Sequence, residues 1–361
     1  MIILNTKEGN RLLSELILDK KRLLRGMAIS IFIGFVAVLI VFFITTNAET
    51  WDSLTSLNNN YLLLAVAVML FAGLIDALRI KFTVEAVEEK ISVLEAAKVY
   101  YISNFAGGIT PFFSGTLPTQ IYLFNKRLRH NMPLGKATMV ATIIPVLKTL
   151  VFSIFAPIIF FSFKNTITSY NTFSNILLYS AVLFSVLIFV LFVSAVKSPQ
   201  KVISLIHKLQ QSPRLSHFFN KKKVLHLSNK IIVEIDEFQQ SFILLKRNWI
   251  KILMATFFTM IFWGSFFTIA PLILWSIGIN FNLAHVLILQ IIFYFILPYL
   301  PTPGGSGAAE VGFASLFSFF VPHYLLGLFV TAWRFIFFYF NLVIGFIILL
   351  IEMNNIQGKN K

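Results

Sequence analysis

Two basic side chains sit where a base is costly. Arg334 falls inside the apolar run Tyr324–Ile351, and Lys148 lies at similar depth in the run 136–163. A cation at the centre of a membrane helix costs roughly 2.5–3.5 kcal/mol on insertion scales, so it is kept where it meets a partner or lines a polar cavity. Arginine can grip a phosphate through two parallel hydrogen bonds, whereas lysine acts as a point charge. Each cation therefore has two readings. Arg334 either receives an anionic group or is neutralised by Glu310; Lys148 either receives the anion or snorkels toward an interface.

The other candidates cluster at two breaks in apolar sequence. Thr110-Pro111-Phe112-Phe113-Ser114-Gly115 and Thr302-Pro303-Gly304-Gly305-Ser306-Gly307 share the pattern T-P-x-x-S-G, and a polar residue follows each, Gln120 and Glu310 respectively. Gly304, Gly305 and Gly307 suit tight turns that need positive φ, and bare backbone amides can also approach a phosphate. Glu310 falls where it could cap a half-helix or carry a proton. Thr110, Ser114, Thr302, Ser306 and Asn104 are small polar groups able to line a pocket or satisfy local backbone. His285 and Gln290 read first as satisfied structural groups. Asp76 and Arg79 stand three apart on a helix and are expected to pair locally at the membrane interface.

The elements that must position these residues are membrane helices. Of 361 residues, 57% are hydrophobic and 12% charged, with 41 Phe; soluble domains carry about twice that share of charge. The sequence has no cysteine, which excludes disulfides and Cys-ligated metals. It shows no P-loop, H-E-x-x-H or nucleophile elbow, and no Asp/His cluster at metal spacing. No cofactor is implied. The net charge of +15 is concentrated in flanks and loops, which points to an anionic lipid surface and away from nucleic acid.

Six full spans are expected: Met27–Thr46, Tyr61–Ile80, 136–163, 175–196, 252–276 and Tyr324–Ile351. Residues 1–26 form an amphipathic lead-in, 83–98 an interfacial helix, 197–251 a basic loop and 352–361 a tail. Segments 100–124 and 283–320 are re-entrant hairpins broken by Pro and Gly, which survive at depth where protein or a wet cavity satisfies their backbone. Orienting the chain with both termini in the cytoplasm puts 27 of the 30 Lys/Arg there, in line with the positive-inside rule. The two hairpins then enter from opposite sides, so that 27–196 and 252–351 form an inverted-topology repeat, an architecture of transporters. The fold class is an all-α polytopic membrane protein of the cell (plasma or inner) membrane.

Thr110 to Gln120, then Pro301-Thr302-Pro303-Gly304-Gly305-Ser306-Gly307-Ala308-Ala309-Glu310, then Trp333-Arg334, together resemble the lysylphosphatidylglycerol synthase transmembrane-region family, the flippase-like domain. Asp76, Arg79 and Pro133-Leu134-Gly135-Lys136 are similar to it as well. The resemblance spans about 27–351. Thr116 departs from the pattern, since a second glycine usually follows Ser-Gly in the first motif. The soluble aminoacyltransferase domain of bifunctional members is not expected here. The resemblance implies lipid translocation without lipid aminoacylation, with a separate lipid-synthesising enzyme as a possible partner; the particular lipid does not carry over.

The leading expectation is a flippase or scramblase, not an enzyme. Arg334 and Lys148 would attract the phosphate of a polar-headed lipid in a polar pocket made by the two hairpins, with Glu310, Gln120, Ser114, Thr110, Thr302, Ser306, Gly304, Gly305, Gly307 and Asn104 around it. The alternatives are a secondary transporter of a small anion, a membrane enzyme acting on lipid-linked phosphates (with Glu310 and His285 as its acid/base pair), and a scaffold recruiting partners through the basic loop.

Overall fold

The computed structural model describes residues 20–127, 132–162, 183 and 240–357. Eleven helices carry the described architecture: α1 (Lys20–Thr45), α2 (Ala48–Thr55), α3 (Asn59–Ala86), α4 (Val93–Gly108), α5 (Thr116–Tyr122), α6 (Leu134–Ser162), α7 (Trp249–Ser276), α8 (Leu283–Ile296), α9 (Ala308–Phe317), α10 (His323–Arg334) and α11 (Phe340–Gln357). A π-helical turn, Phe335–Tyr339, joins α10 to α11, and another, Leu123–Arg127, follows α5.

Among the described residues four helical stretches are long and apolar enough to cross a membrane: Asn59–Ala86, Leu134–Phe152, Trp249–Ser276 and His323–Met353. Ile31–Thr45 with Ala48–Thr55, bent by 108°, makes a fifth if counted as one span. Their outward faces are apolar: Phe32, Phe43, Leu63, Leu74, Leu253 and Phe257 are all more than half exposed. A water-soluble fold does not present so many large hydrophobic side chains together, whereas lipid solvates them. The chain is a multi-pass α-helical membrane protein. The expected spans 27–46, 61–80, 136–163, 252–276 and 324–351 each coincide with one of these stretches. The expected span 175–196 and most of the basic loop 197–251 lie outside the described residues.

The interfacial helix expected at 83–98 is not formed. Helix α3 runs on to Ala86, a turn carries Glu88 at φ +62, and α4 starts at Val93, capped by Ser92, whose side chain accepts from the Glu95 amide. The acids in this stretch that suggested a surface helix instead bind bases, one on α3 itself and the others on neighbouring segments. Glu85 meets Lys81 and Lys251, Glu88 meets Arg247, and Glu89 meets Lys136. Lys98 and Glu352 tie the start of α4 to the end of α11. These pairs gather at one end of the bundle. At the other end the Asn58 amide donates to the Ser276 carbonyl at 2.9 Å, and Thr50 Oγ1 donates to the Tyr324 carbonyl at 2.7 Å.

Between the two ends, α3 packs along α7, α4 against α3 and α11, and α10 against α1. Two helix–break–helix segments fill the middle. The first, α4–α5, starts and returns at the charged end; the second, α8–α9, starts and returns at the opposite end. Their breaks touch. Pro111 and Pro303 form an isolated antiparallel bridge, and the Phe112 amide donates to the Leu300 carbonyl at 3.1 Å. Each break thus supplies backbone partners to the other, which is how irregular chain can persist at such depth.

Candidate functional site

The two T-P-x-x-S-G motifs make the same turn up to the serine and part at the last glycine, where Gly115 has φ −73 and Gly307 φ +88. Phe112 and Phe113 have φ of +57 and +51; Gly304 and Gly305, at the matching positions, have +59 and +70. In both, the amide of the motif serine donates to the carbonyl of the motif proline at 3.0 Å. The left-handed conformation is free for glycine and costs roughly 1–2 kcal/mol for a residue with Cβ. The first break bears that strain twice and the second does not. At Gly304 there is also no room for a side chain, because a Cβ would overlap the Phe338 ring.

The second break closes around Arg334. Its Nε lies 2.7 Å from Glu310 Oε1, and both side chains are fully buried. Its Nη2 donates to the Gly304 carbonyl and to Ser306 Oγ, each at 3.0 Å. Glu310 Oε2 also accepts from the Gly307 amide at 2.7 Å, so the carboxylate caps α9 as well as holding the arginine. Trp333, the preceding residue, faces the other way. It stacks on Phe313 at 4.0 Å and donates to Tyr294 Oη at 3.1 Å. This is the paired reading of Arg334 and the capping reading of Glu310. Thr302 Oγ1 is buried nearby without a hydrogen-bond partner among the described residues.

A separate cavity of about 650 Å³ lies beside the first break. Lys148 lines it from α6, Asn104 from α4, Ser114 from the break and Gln120 from α5. Lys148 Nζ reaches the Tyr294 carbonyl at 3.4 Å and sits 4.5 Å from the Trp263 ring centre. Among the described residues no carboxylate lies within ion-pair distance of it. Most of the remaining wall is aromatic or aliphatic, with Phe112, Pro145 and Phe266 among it. The cavity mouth is marked by Phe112, 55% exposed, and Pro145, also exposed.

The structure therefore divides the expected site in two. Lys148, Gln120, Ser114 and Asn104 share the cavity; Arg334, Glu310, Ser306, Gly304 and Gly307 form a sealed cluster outside its lining. Whether the two cations share one cavity is not legible in the sequence; in the structure the ring of Phe338, which does line the cavity, stands 3.9 Å from the Arg334 guanidinium and separates the two. Thr110 and Gly305 serve the turns themselves. Thr110 Oγ1 bridges the Ala106 carbonyl at 2.9 Å and the Gly115 amide at 2.8 Å, and the Gly305 amide donates to the Thr302 carbonyl at 2.9 Å. Gln290 is fully buried, with its amide donating to the Phe267 carbonyl at 2.9 Å.

Asp76 and Arg79 form their expected ion pair but not at an interface. They are 1% and 7% exposed and line the cavity from α3. The expected span ends at Ile80, which puts the pair at its edge; in the structure α3 continues six residues further, to Ala86, and the pair is drawn inward. His285 stands in the first turn of α8 and Glu310 in the first turn of α9, past the far end of α8. Roughly 16 Å of helix, at 1.5 Å per residue, separates His285 from the break that precedes Glu310, so the fold does not assemble them as an acid/base pair. Among the described residues no group of three or more His, Asp or Glu is placed to hold a metal.

A family model described as "Lysylphosphatidylglycerol synthase TM region" matches residues 27–345. The chain is also similar to a "UPF0104 membrane protein" of Archaeoglobus fulgidus, 27% identical over 320 residues, which covers 88% of this chain and 94% of that one. No solved structure matches.

Proposed function

The chain belongs to the lysylphosphatidylglycerol synthase transmembrane-region family, and from that premise we propose that it carries a polar-headed, phosphate-bearing lipid between leaflets as a flippase or scramblase. The observation that carries this reading is Lys148: a cation without a carboxylate partner among the described residues, in a mainly apolar cavity beside the meeting point of two helix breaks. A phosphate entering there gains a charge partner away from water, where such pairing is strong. The exposed Phe112 and Pro145 at the mouth would let acyl tails stay in lipid while the headgroup goes in. The left-handed pair shared by the two breaks and their entry from opposite ends support an inverted repeat. Arg334 and Glu310 act as the fixed half, locking the second break.

The ionic end of the bundle carries the segments that the positive-inside rule assigns to the cytoplasm. In this reading it faces the anionic inner leaflet of the cell membrane. The test is a flip assay in proteoliposomes with head-group-labelled phosphatidylglycerol, aminoacylated phosphatidylglycerol, a glycolipid and a polyprenyl phosphate. Wild type should accelerate at least one phosphate lipid, and Lys148→Ala should abolish that acceleration in folded protein. Movement of no lipid, with uptake of inorganic phosphate instead, would replace the reading with a small-anion transporter.

A further inference from the structure

Among the described residues three charged side chains line the cavity: Lys148 from α6, and Arg79 and Asp76 from α3. Asp76 is paired with Arg79, so the pocket presents one net positive charge. The other polar groups in its wall, Asn104, Ser114, Gln120 and Asn341 among them, are neutral. Two donors are left over: among the described residues Arg79 Nε and Trp263 Nε1 have no hydrogen-bond partner, although their residues are only 7% and 8% exposed. Both residues line the cavity, and Lys148 lies against the Trp263 ring. Two cationic groups and a spare indole N–H thus share this mainly apolar wall with a single carboxylate, Asp76, which is held by Arg79.

We infer that Asp76 sets the charge class of the ligand, matching the pocket to a phosphodiester with one negative charge and against a phosphomonoester with two. The inference rests on the translocation reading for its ligand and adds a selectivity residue to it. A monoanionic diester brings the occupied pocket to neutrality. A dianionic monoester leaves a net negative charge in a low-dielectric wall, and uncompensated buried charge is expensive. Without Asp76 the balance reverses: two cations then match the dianion and overcompensate the diester. Asp76 is in this sense a built-in competitor for Arg79. It holds the guanidinium while the pocket is empty and subtracts one charge from what the pocket accepts.

The experiment measures binding rather than flipping. The purified full chain in detergent is titrated at pH 7.5, where a phosphomonoester is mainly dianionic, with phosphatidylglycerol and with phosphatidic acid of the same acyl chains. Glycerophosphoglycerol, the same diester without tails, forms a third arm. Wild type should prefer phosphatidylglycerol at least tenfold. Asp76→Asn should shift the preference tenfold or more toward phosphatidic acid. Gln120→Lys, which adds a charge to the same wall and leaves the Asp76–Arg79 pair intact, should shift it the same way and covers the case in which Asp76→Asn does not fold. Equal wild-type affinity for the two lipids, or a preference unmoved in both variants, overturns the inference, and the translocation reading still stands if the flip assay is positive. Binding of neither lipid overturns the inference, and a flip assay negative for every lipid then removes the translocation reading too. Binding of the tail-free diester as tightly as the lipid keeps the charge rule and moves its source to a soluble anion.

Discussion

The ring of Phe338 lies 3.9 Å from the guanidinium carbon of Arg334 and occupies the space that a Cβ on Gly304 would need. One aromatic side chain thereby closes off the buried Arg334–Glu310 cluster, accounts for a glycine, and forms part of the wall of the neighbouring cavity. The π-helical turn Phe335–Tyr339 follows Arg334 directly. It changes the helical phase by one residue, so that Phe337 and Phe338 line the cavity.

Gly304→Ala should be among the most damaging small substitutions in the chain. It forces a side chain into positive φ and into the Phe338 ring, for a combined loss of about 2–4 kcal/mol. Thermal unfolding in detergent should show a clear fall in Tm. Gly264→Ala is the control: a Cβ there meets nothing within 4 Å, inside α7, and should be neutral or stabilising by up to about 1 kcal/mol.

Arg334 and Glu310 should behave as one unit. Removing either alone leaves a buried charge without its partner, at a cost of about 3–5 kcal/mol. Arg334→Met and Glu310→Gln should each lower stability strongly, while the double variant loses less than the sum. An additive cycle in thermal or denaturant unfolding would show that the two do not couple.

Lys148→Met should do the opposite. It removes a cation that has no carboxylate partner among the described residues and places an apolar side chain beside Trp263 and Phe152. Tm should hold or rise, while phosphate-lipid movement in proteoliposomes falls at least tenfold. A parallel loss of fold and activity would assign Lys148 to structure.

Phe112→Gly should stabilise. Phe112 is held at φ +57 and is 55% exposed, so glycine relieves left-handed strain at little cost in packing. The net gain, after the greater freedom of glycine in the unfolded chain, is about 0.5–1 kcal/mol. A fall in Tm would mean that the ring contributes contacts worth more than the strain.

The polarity of the bundle can be read by labelling, because the chain has no native cysteine. Single cysteines at Lys90, Asn125 and Pro133 should react from one face of the membrane, and one at Ser56 from the other. Reaction of 125 and 133 from opposite faces would convert the first broken segment into a crossing span.

The sequence by itself determined the solvent. Long apolar runs with basic flanks leave a bilayer as the only medium able to cover this surface, and the runs at 61–80, 252–276 and 324–351 mark their helices because membrane helices satisfy their own backbone. The two T-P-x-x-S-G breaks were also legible, since Pro and Gly act locally. What only the tertiary structure decided is which charged groups meet. Arg334 and Lys148 look alike in sequence, each a lone cation in an apolar run. One is matched to Glu310 because α9 restarts beside α10; the other is left without a carboxylate partner among the described residues because the carboxylate in its cavity, Asp76, is taken by Arg79. Asp76 and Arg79 read as an edge pair until the length of α3 carried them into the cavity. Pairing depends on distances between elements far apart in the chain, and no periodicity or spacing within one segment records those distances.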